Sequence, residues 1–388
     1  MATIKQYKDK VSGQTKYRVR TLIGRDKQGK QIVKTKQGFL DKTSAKKWLN
    51  EIEKDMLMNG RDVIQKQIAS SNLRYEQVYL EWLETYRNTV KESTFVTTQR
   101  IFKLHILPLF GVMRLSKIDK DYCQNAVNYW FGKPLKQYKR IAYYTNKVLK
   151  YAIQEGYLGS SPMDRITMPQ IRPVRTDQDV NYYDKETLQK FLGYLIADND
   201  LRGYVFFRLL AFSGLRKGEA LALTWSDIDF DRNVINVNKT QTNGAKGIMI
   251  QSPKTASSYR DVWLDQKTMQ VLANHKIRQH KWLRDNGYSS IGNRKQLVFP
   301  NGHNNMLQPV KPRVWLISCI EKHDLPHITV HGFRHTYASL AVEAGLNVKQ
   351  LQSQLGHRSV RTTLDVYAAV TKTLKNGIAD QYADYLGF

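Results

Sequence analysis

Ser213-Gly-Leu-Arg-Lys-Gly-Glu-Ala220 reads as the joint between two helices. Gly214 is placed to end one helix, where a residue without a Cβ is favoured, and Gly218 lies near the start of the next. Arg216 then occupies a tight interhelical turn, from which its planar fork can reach an oxyanion. An ordinary capping or surface arginine has the same local pattern. Working outward, helices are expected near 185–196, 201–212, 217–223, 266–285 and 309–322, and in several pieces after 330. Between them Asn233-Val-Ile-Asn-Val-Asn238, Ile248-Met-Ile250 and Arg260-Asp-Val-Trp-Leu264 alternate as short strands.

Three further stretches carry chemistry. Lys254, in Gln251-Ser-Pro-Lys-Thr-Ala-Ser-Ser-Tyr-Arg260, falls between two of those strands, where a hairpin tip can swing a lysine into a neighbouring site. In His331-Gly-Phe-Arg-His335, residues three apart share a helix face, so His331 and Arg334 can address one ligand while Phe333 turns away. A phosphate flanked by imidazole and guanidinium is a natural guest. The rival reading is a zinc surface of His327, His331 and His335, spaced four apart. Pro326 argues against a helix through His327, and the glutamate of a metalloprotease helix is missing. In Leu355-Gly-His-Arg-Ser-Val-Arg-Thr-Thr-Leu-Asp-Val-Tyr367, Gly356 can end one helix and Ser359 can cap the next. His357 then lies in the turn and Tyr367 about two helical turns on, where a tyrosine is ordinarily a packing residue. Leu374, Ile378, Tyr382 and Leu386 recur every four residues, a stripe suited to a short amphipathic helix.

Towards the N-terminus, Pro162, Pro169 and Pro173 break up a stretch of weak periodicity, so 166–180 reads as a linker. Residues 73–158 look helical. Ile141, Tyr144, Val148 and Ala152 mark a helix over 135–155 that stops at Gly156. Another spans about 119–130, and an earlier one ends before Pro108. Arg100, Lys103, Lys139, Arg140 and Lys147 are interleaved with tyrosines and are candidates for nucleic-acid contact. The first sixty residues read as a small sheet backed by one helix. Lys16-Tyr-Arg-Val-Arg-Thr21 puts Tyr17 and Val19 on one face and Arg18 and Arg20 on the other. Asp26-Lys-Gln-Gly29 is a turn, and a second strand follows at about 31–36. Thr43 is the expected cap of a helix whose stripe is Ala45, Trp48, Leu49, Ile52 and Met56. Arg18 and Arg20 would be its DNA contacts.

Charge narrows the partner. The 388 residues carry 61 Lys+Arg against 34 Asp+Glu, a net charge of +27. Residues 1–66 alone hold 17 basic and 7 acidic side chains. Such an excess points to a polyanion, nucleic acid or an anionic membrane. Mean hydropathy of −0.53, and an apolar stretch at 204–212 broken by Arg208, leave no spanning helix of about 20 apolar residues. The first ten residues lack the apolar core of a secretory signal. Cys123 and Cys319, the two cysteines, exclude a disulfide framework and a cysteine-rich zinc module. Chain length is a prior of two to three domains.

Taken together, Arg216, Lys254, His331, Arg334, His357 and Tyr367 occur in the order and spacing of the tyrosine recombinase family, and the chain resembles its lambda-type integrases over roughly 180–370. The blocks Ser213-Gly-Leu-Arg-Lys-Gly-Glu and His331-Gly-Phe-Arg-His-Thr carry the likeness. Leu-Gly-His357, followed ten residues later by Tyr367, adds to it. The resemblance implies a three-domain integrase of a temperate phage or integrative conjugative element, mainly α with small β-sheets. Its parts would be an arm-type DNA-binding domain at 1–66, a three-stranded sheet plus helix; a helical core-binding domain at 67–165; and a mixed, mainly α, catalytic domain with a C-terminal tail at 181–388. Tyr367 would attack the scissile phosphate to give a 3′-phosphotyrosyl bond. Arg216 and Arg334 would hold its non-bridging oxygens, Lys254 would protonate the leaving oxygen, His331 would accept the tyrosine proton and His357 would donate to the phosphate. No metal or other cofactor is implied, and the Gly-Lys-Ser/Thr loop of ATP-driven enzymes is missing.

The implied partners are double-stranded core-type and arm-type attachment sites, three further copies in a synaptic homo-tetramer, and accessory DNA-bending or excision factors, in the nucleoid of a bacterial cytoplasm with no membrane. A type IB topoisomerase uses similar chemistry, but the N-terminal module and the tail beyond Tyr367 favour strand exchange. A non-catalytic DNA-binding regulator of the same fold would have no need of six polar residues. An RNA-binding protein lacks its aromatic-decorated sheet.

Overall fold

Alternation over Arg18–Ile23 marks the central strand of an antiparallel sheet of β1 (Thr3–Lys8), β2 (Thr15–Arg25) and β3 (Gln31–Phe39), in that order. The structure is a computed structural model. It describes residues 2–9, 13–25, 31–59, 72–133, 137–170, 181–253, 258–289, 291–356, 360–361 and 363–364. Val19, Thr21 and Ile23 point inward from β2, and α1 (Lys42–Asn59) covers them with Ala45 and Ile52. Ile32, Trp48 and Met56 close this small core. The helix is capped by Asp41 and not by the expected Thr43. The Asp41 carboxylate accepts from Ser44 N and Ser44 Oγ, both at 2.6 Å, and its charge faces the positive helix end, leaving Thr43 inside the first turn. The Asp26–Gly29 turn lies outside the described residues.

The chain divides into two compact units, 1–173 and 174–388. Within the first, helices α2 (Tyr75–Arg87), α3 (Glu92–Ile101), α4 (Leu107–Phe110), α5 (Lys120–Gly132) and α6 (Tyr138–Gln154) surround an aromatic core. Phe102 stacks on Tyr79 at 4.3 Å, and Trp130 on Phe110 at 5.9 Å. The helix expected to end before Pro108 runs through it. A π-helical turn, Phe102–Ile106, shifts the hydrogen-bond register so that Pro108 falls in the first turn of α4, where its missing N–H costs nothing. Asp119 caps α5 through Tyr122 N at 2.8 Å. Gly156, at φ +74°, follows α6 in the left-handed conformation the sequence called for. Beyond residue 165 the chain stays on the helical core: Ile166 and Met168 pack on it, and Tyr138 Oη donates to Pro169 O at 2.6 Å. Residues 171–180, the rest of the expected linker, lie outside the described residues.

The second unit is mainly helical: α7 (Lys185–Ala197), α8 (Leu201–Ser213), α9 (Lys217–Ala222), α10 (Gln266–Asp285), α11 (Lys311–His323), α12 (Gly332–Glu343) and α13 (Val348–Leu355). Helix α8 is apolar almost all round, and it is buried accordingly, with Phe206, Phe207, Leu209 and Leu210 inaccessible. Phe333 of α12 packs on Phe207 at 4.8 Å, so it does turn away from His331 into the core. Strands β4 (Ile228–Asp229), β5 (Val234–Val237) and β8 (Arg260–Trp263) form one antiparallel sheet; β6 (Thr240–Gly244) and β7 (Gly247–Gln251) form another. The strands flanking Lys254 therefore belong to different sheets and do not pair with each other as the expected hairpin would; Lys254 itself lies outside the described residues. The polar β6 takes the pairing that β8 was expected to supply. Among the described residues no helix is long and apolar enough to cross a membrane.

Candidate active site

The joint quoted first folds as its glycine dictates. Gly214 caps α8 at φ +64°, and a Cβ there would lie 2.6 Å from Tyr337 Cδ1 and 2.7 Å from Leu355 Cδ2. Two residues on, Arg216 is extended and opens α9. Glu219, one turn into that helix, accepts from Arg216 N at 2.9 Å and from Arg216 Nη1 at 2.8 Å. The same carboxylate accepts from Arg260 Nη2 at 2.9 Å. Burial alone would raise the Glu219 pKa. Arg260 and then Arg216 outweigh it and hold the carboxyl below the usual range, so it is ionised between two guanidiniums.

Arg334 comes to the same place from α12. It is 4% exposed, and it donates from Nη1 to Gly214 O at 2.8 Å and from Nη2 to Leu355 O at 2.7 Å. A guanidinium carries five N–H groups, so these two bonds leave donors for an anion. Burial, followed by the charge of Arg216, pulls its pKa down to about 9, which keeps it cationic at neutral pH. His331 stands at the start of α12, its ring 5.0 Å from that of His335 and nearly perpendicular. Desolvation of the ring, then His335, Arg334 and Arg216, lower the His331 pKa, so the imidazole is neutral at pH 7 and free to take a proton. Arg216 and His331 line one open cavity of about 640 Å³ with Lys217, Arg313 and His327. His327 precedes α12, so the three histidines do not share a helix face. Among the described residues no group of three or more His, Cys, Asp or Glu could hold a metal ion.

Thus three of the six expected residues, Arg216, His331 and Arg334, meet at one basic site. Lys254, His357 and Tyr367 lie outside the described residues, as does the stripe from Leu374 to Leu386. Two residues not singled out in the sequence, Glu219 and Arg260, complete the charge pattern.

The phage integrase family profile matches residues 181–373, spanning these positions. The chain belongs to the phage integrase family. It is a tyrosine recombinase, an enzyme of site-specific DNA recombination. The integrase N-terminal SAM-like domain matches residues 74–131 and the arm DNA-binding domain residues 5–56. A XerC-like tyrosine recombinase of Caldanaerobacter subterraneus is 27% identical over 96% of this chain and 97% of its own. The ICEBs1 integrase of Bacillus subtilis is 28% identical, covering 76% and 79%. The Tn916 transposase of Enterococcus faecalis is also 28% identical, covering 86% and 82%. Among solved structures, a Tn1549 transposon integrase in complex with transposon right-end DNA matches with a TM-score of 0.63 at 20% identity, covering 79% of this chain and 100% of that one. A lambda integrase dimer bound to a core site gives 0.57 at 13%, covering 93% and 94%. These structural likenesses show the shared fold.

The integrase's other candidate residues are all exposed. Arg18 and Arg20 stand on the open face of the N-terminal sheet, lining a cavity of about 430 Å³ with Thr3, Lys5 and Gln31. Lys139, Arg140 and Lys147 share a face of α6 with Tyr143, and Lys147 lies 5.4 Å from the centre of the Tyr143 ring. Arg100 ends α3, and Lys103 follows in the π-turn. Lys150, on the same helix as Lys147, is committed to an ion pair with Asp164.

Proposed function

We propose that this integrase cuts and rejoins attachment-site DNA through Tyr367, served by Arg216, Lys254, His331, Arg334 and His357. The tyrosine Oη attacks the scissile phosphorus and its proton passes to a ring nitrogen of His331. The bond from phosphorus to O5′ breaks, and Lys254 gives that oxygen a proton. A 3′-phosphotyrosyl bond and a free 5′-hydroxyl result. Attack by the 5′-hydroxyl of the partner strand reverses the sequence, so bond energy is conserved. Arg216 and Arg334 take the negative charge of the transferring phosphate, assisted by His357.

The observation that carries this reading is that the guanidiniums of Arg216 and Arg334, 118 residues apart in sequence, and the neutral imidazole of His331 come within electrostatic reach of one another, with Arg216 and His331 lining one cavity. Residues 181–388 are the catalytic domain, 67–165, with 166–170 packed on it, the core-binding domain, and 1–66 the arm-binding domain, 171–180 connecting the core-binding and catalytic domains. The basic faces of α6 and of the N-terminal sheet support contacts to two separate DNA sites. A homo-tetramer pairs two such DNAs, with accessory bending or excision factors setting direction.

A nicked suicide substrate carrying the core site tests it. Wild type gives a denaturant-resistant protein–DNA adduct, and Tyr367→Phe binds the site with similar affinity but gives none. An adduct with the Phe variant refutes the nucleophile.

A further inference from the structure

Arg260 plays no part in the reading above, yet its side chain is only 6% exposed and all three of its nitrogens are engaged. Nε donates to Gln354 O at 2.8 Å, and Nη2 to Glu219 Oε2 at 2.9 Å. Nη1 reaches Ser258 O at 3.3 Å and Glu219 Oε1 at 3.4 Å. Each acceptor stands beside a residue of the proposed machinery. Glu219 is three residues past Arg216, Ser258 four past Lys254, and Gln354 three before His357.

A buried ion pair that served stability alone would need only Glu219. Arg260 also spends donors on two main-chain carbonyls outside any strand ladder, Gln354 O at the end of α13 and Ser258 O two residues back in its own segment. Gln354 strengthens one of these links. Its side-chain amide accepts from Trp263 N at 3.3 Å and donates to Trp263 O at 3.2 Å, laying the end of α13 along the edge of β8. Arg334 makes a parallel tie between Gly214 and Leu355. The segments bearing the acid, the clamp and the second histidine are therefore cross-tied through Arg260.

We propose that Arg260 is a positioning residue that holds the Lys254 segment in register with Arg216 and the His357 turn, so that the acid meets the leaving oxygen while the phosphate is clamped. The proposal rests on Lys254 being the general acid. Misplacement of a reacting group by about 1 Å costs on the order of 10²-fold in rate. Arg260→Lys keeps a charge beside Glu219 but has a single nitrogen and cannot tie three segments.

The test uses the full chain and two suicide substrates, one ordinary and one with sulfur in place of the bridging O5′. A thiolate leaves without being protonated, so the second substrate does not need the acid. For Arg260→Lys we expect DNA affinity within about threefold of wild type and ordinary cleavage reduced about 10²-fold, with the deficit on the sulfur substrate at least tenfold smaller. Arg260→Gln, which keeps one amide donor, is read the same way and serves if the lysine variant does not fold. Ordinary cleavage within about threefold of wild type overturns the proposal. So does an equal deficit on both substrates, which would mean that Arg260 does not act through the lysine. Lys254→Ala is the control: if sulfur does not relieve it, the acid assignment itself falls, and this inference with it.

Discussion

Glu219→Gln measures how far the site depends on one buried carboxylate. The Glu219 side chain is 5% exposed and accepts from Arg216 N, Arg216 Nη1 and Arg260 Nη2 at 2.8–2.9 Å. Glutamine offers one acceptor oxygen, and its amide N–H groups would face the other guanidinium. At least one arginine thus loses its counter-charge. Removing one partner of a buried pair costs roughly 3–5 kcal/mol. Because the Arg216 side chain is 39% exposed and can rehydrate, the lower end applies, about 3 kcal/mol. A unit of roughly 200 residues loses about 2–4 °C per kcal/mol, so the catalytic unit should melt about 6–12 °C lower. The deficit depends on pH with a definite sign. Glu219 titrates lower in the folded chain than in the unfolded one, because Arg260 and Arg216 outweigh its burial. Its stabilisation is complete above the unfolded pKa, about 4.3, and is lost as pH falls through the folded value. Melts of wild type and variant, followed by circular dichroism from pH 7 downward, should therefore draw together progressively once the pH falls below the unfolded value of about 4.3. A gap under about 3 °C at pH 7, or one that fails to narrow in acid, refutes the argument.

Other outcomes follow from the same geometry. Because the His331 pKa is lowered, the single-turnover cleavage rate should be flat from pH 7 to 8, with its acid limb below the free-imidazole value of about 6.5; an acid limb centred above pH 7 contradicts a neutral base. Gly214→Ala puts a Cβ 2.6 Å from Tyr337 at positive φ and should cost about 1–3 kcal/mol, together with a loss of cleavage, read by melting and by suicide-substrate trapping. Arg18→Ala with Arg20→Ala should weaken binding to arm-site DNA and flatten its salt dependence by about 0.9 per lost phosphate contact, leaving core-site cleavage unchanged. An unaltered salt slope would mean that these side chains do not touch the backbone.

The helices were legible where apolar spacing and a terminal signal coincided. Gly156 and Gly214 both stand at the ends the sequence assigned them. Pro108 misled because a five-residue π-turn can restore hydrogen bonding around a proline, and no local pattern announces one. Strand β6 was invisible because Thr240–Gly244 is polar and does not alternate; it exists because β7 pairs with it. Arg216, His331 and Arg334 were legible because each sits in a short motif whose turns and faces are set locally. The link through Glu219 and Arg260 was not. The two are 41 residues apart, Glu219 looks like a first-turn helix acid, and Arg260 looks like the start of a strand. Only tertiary packing turns them into one ion pair.

The N-terminal sheet and its helix rest on very little oil: Val19, Ile23, Ala45 and Ile52, with Ile32, Trp48 and Met56 against them, among the described residues. A domain of about 60 residues buries a small share of its surface and is held folded by a narrow margin. Its folded fraction is therefore set in part by mass action. On the function proposed here, arm-site DNA at a hundred times its Kd would add about 2.7 kcal/mol, a large share of such a domain's stability. The sheet would then melt or be clipped by protease well before the catalytic unit when DNA is withheld, and it would become resistant on the right duplex. Occupancy of the distal site would be written into the order of the protein itself.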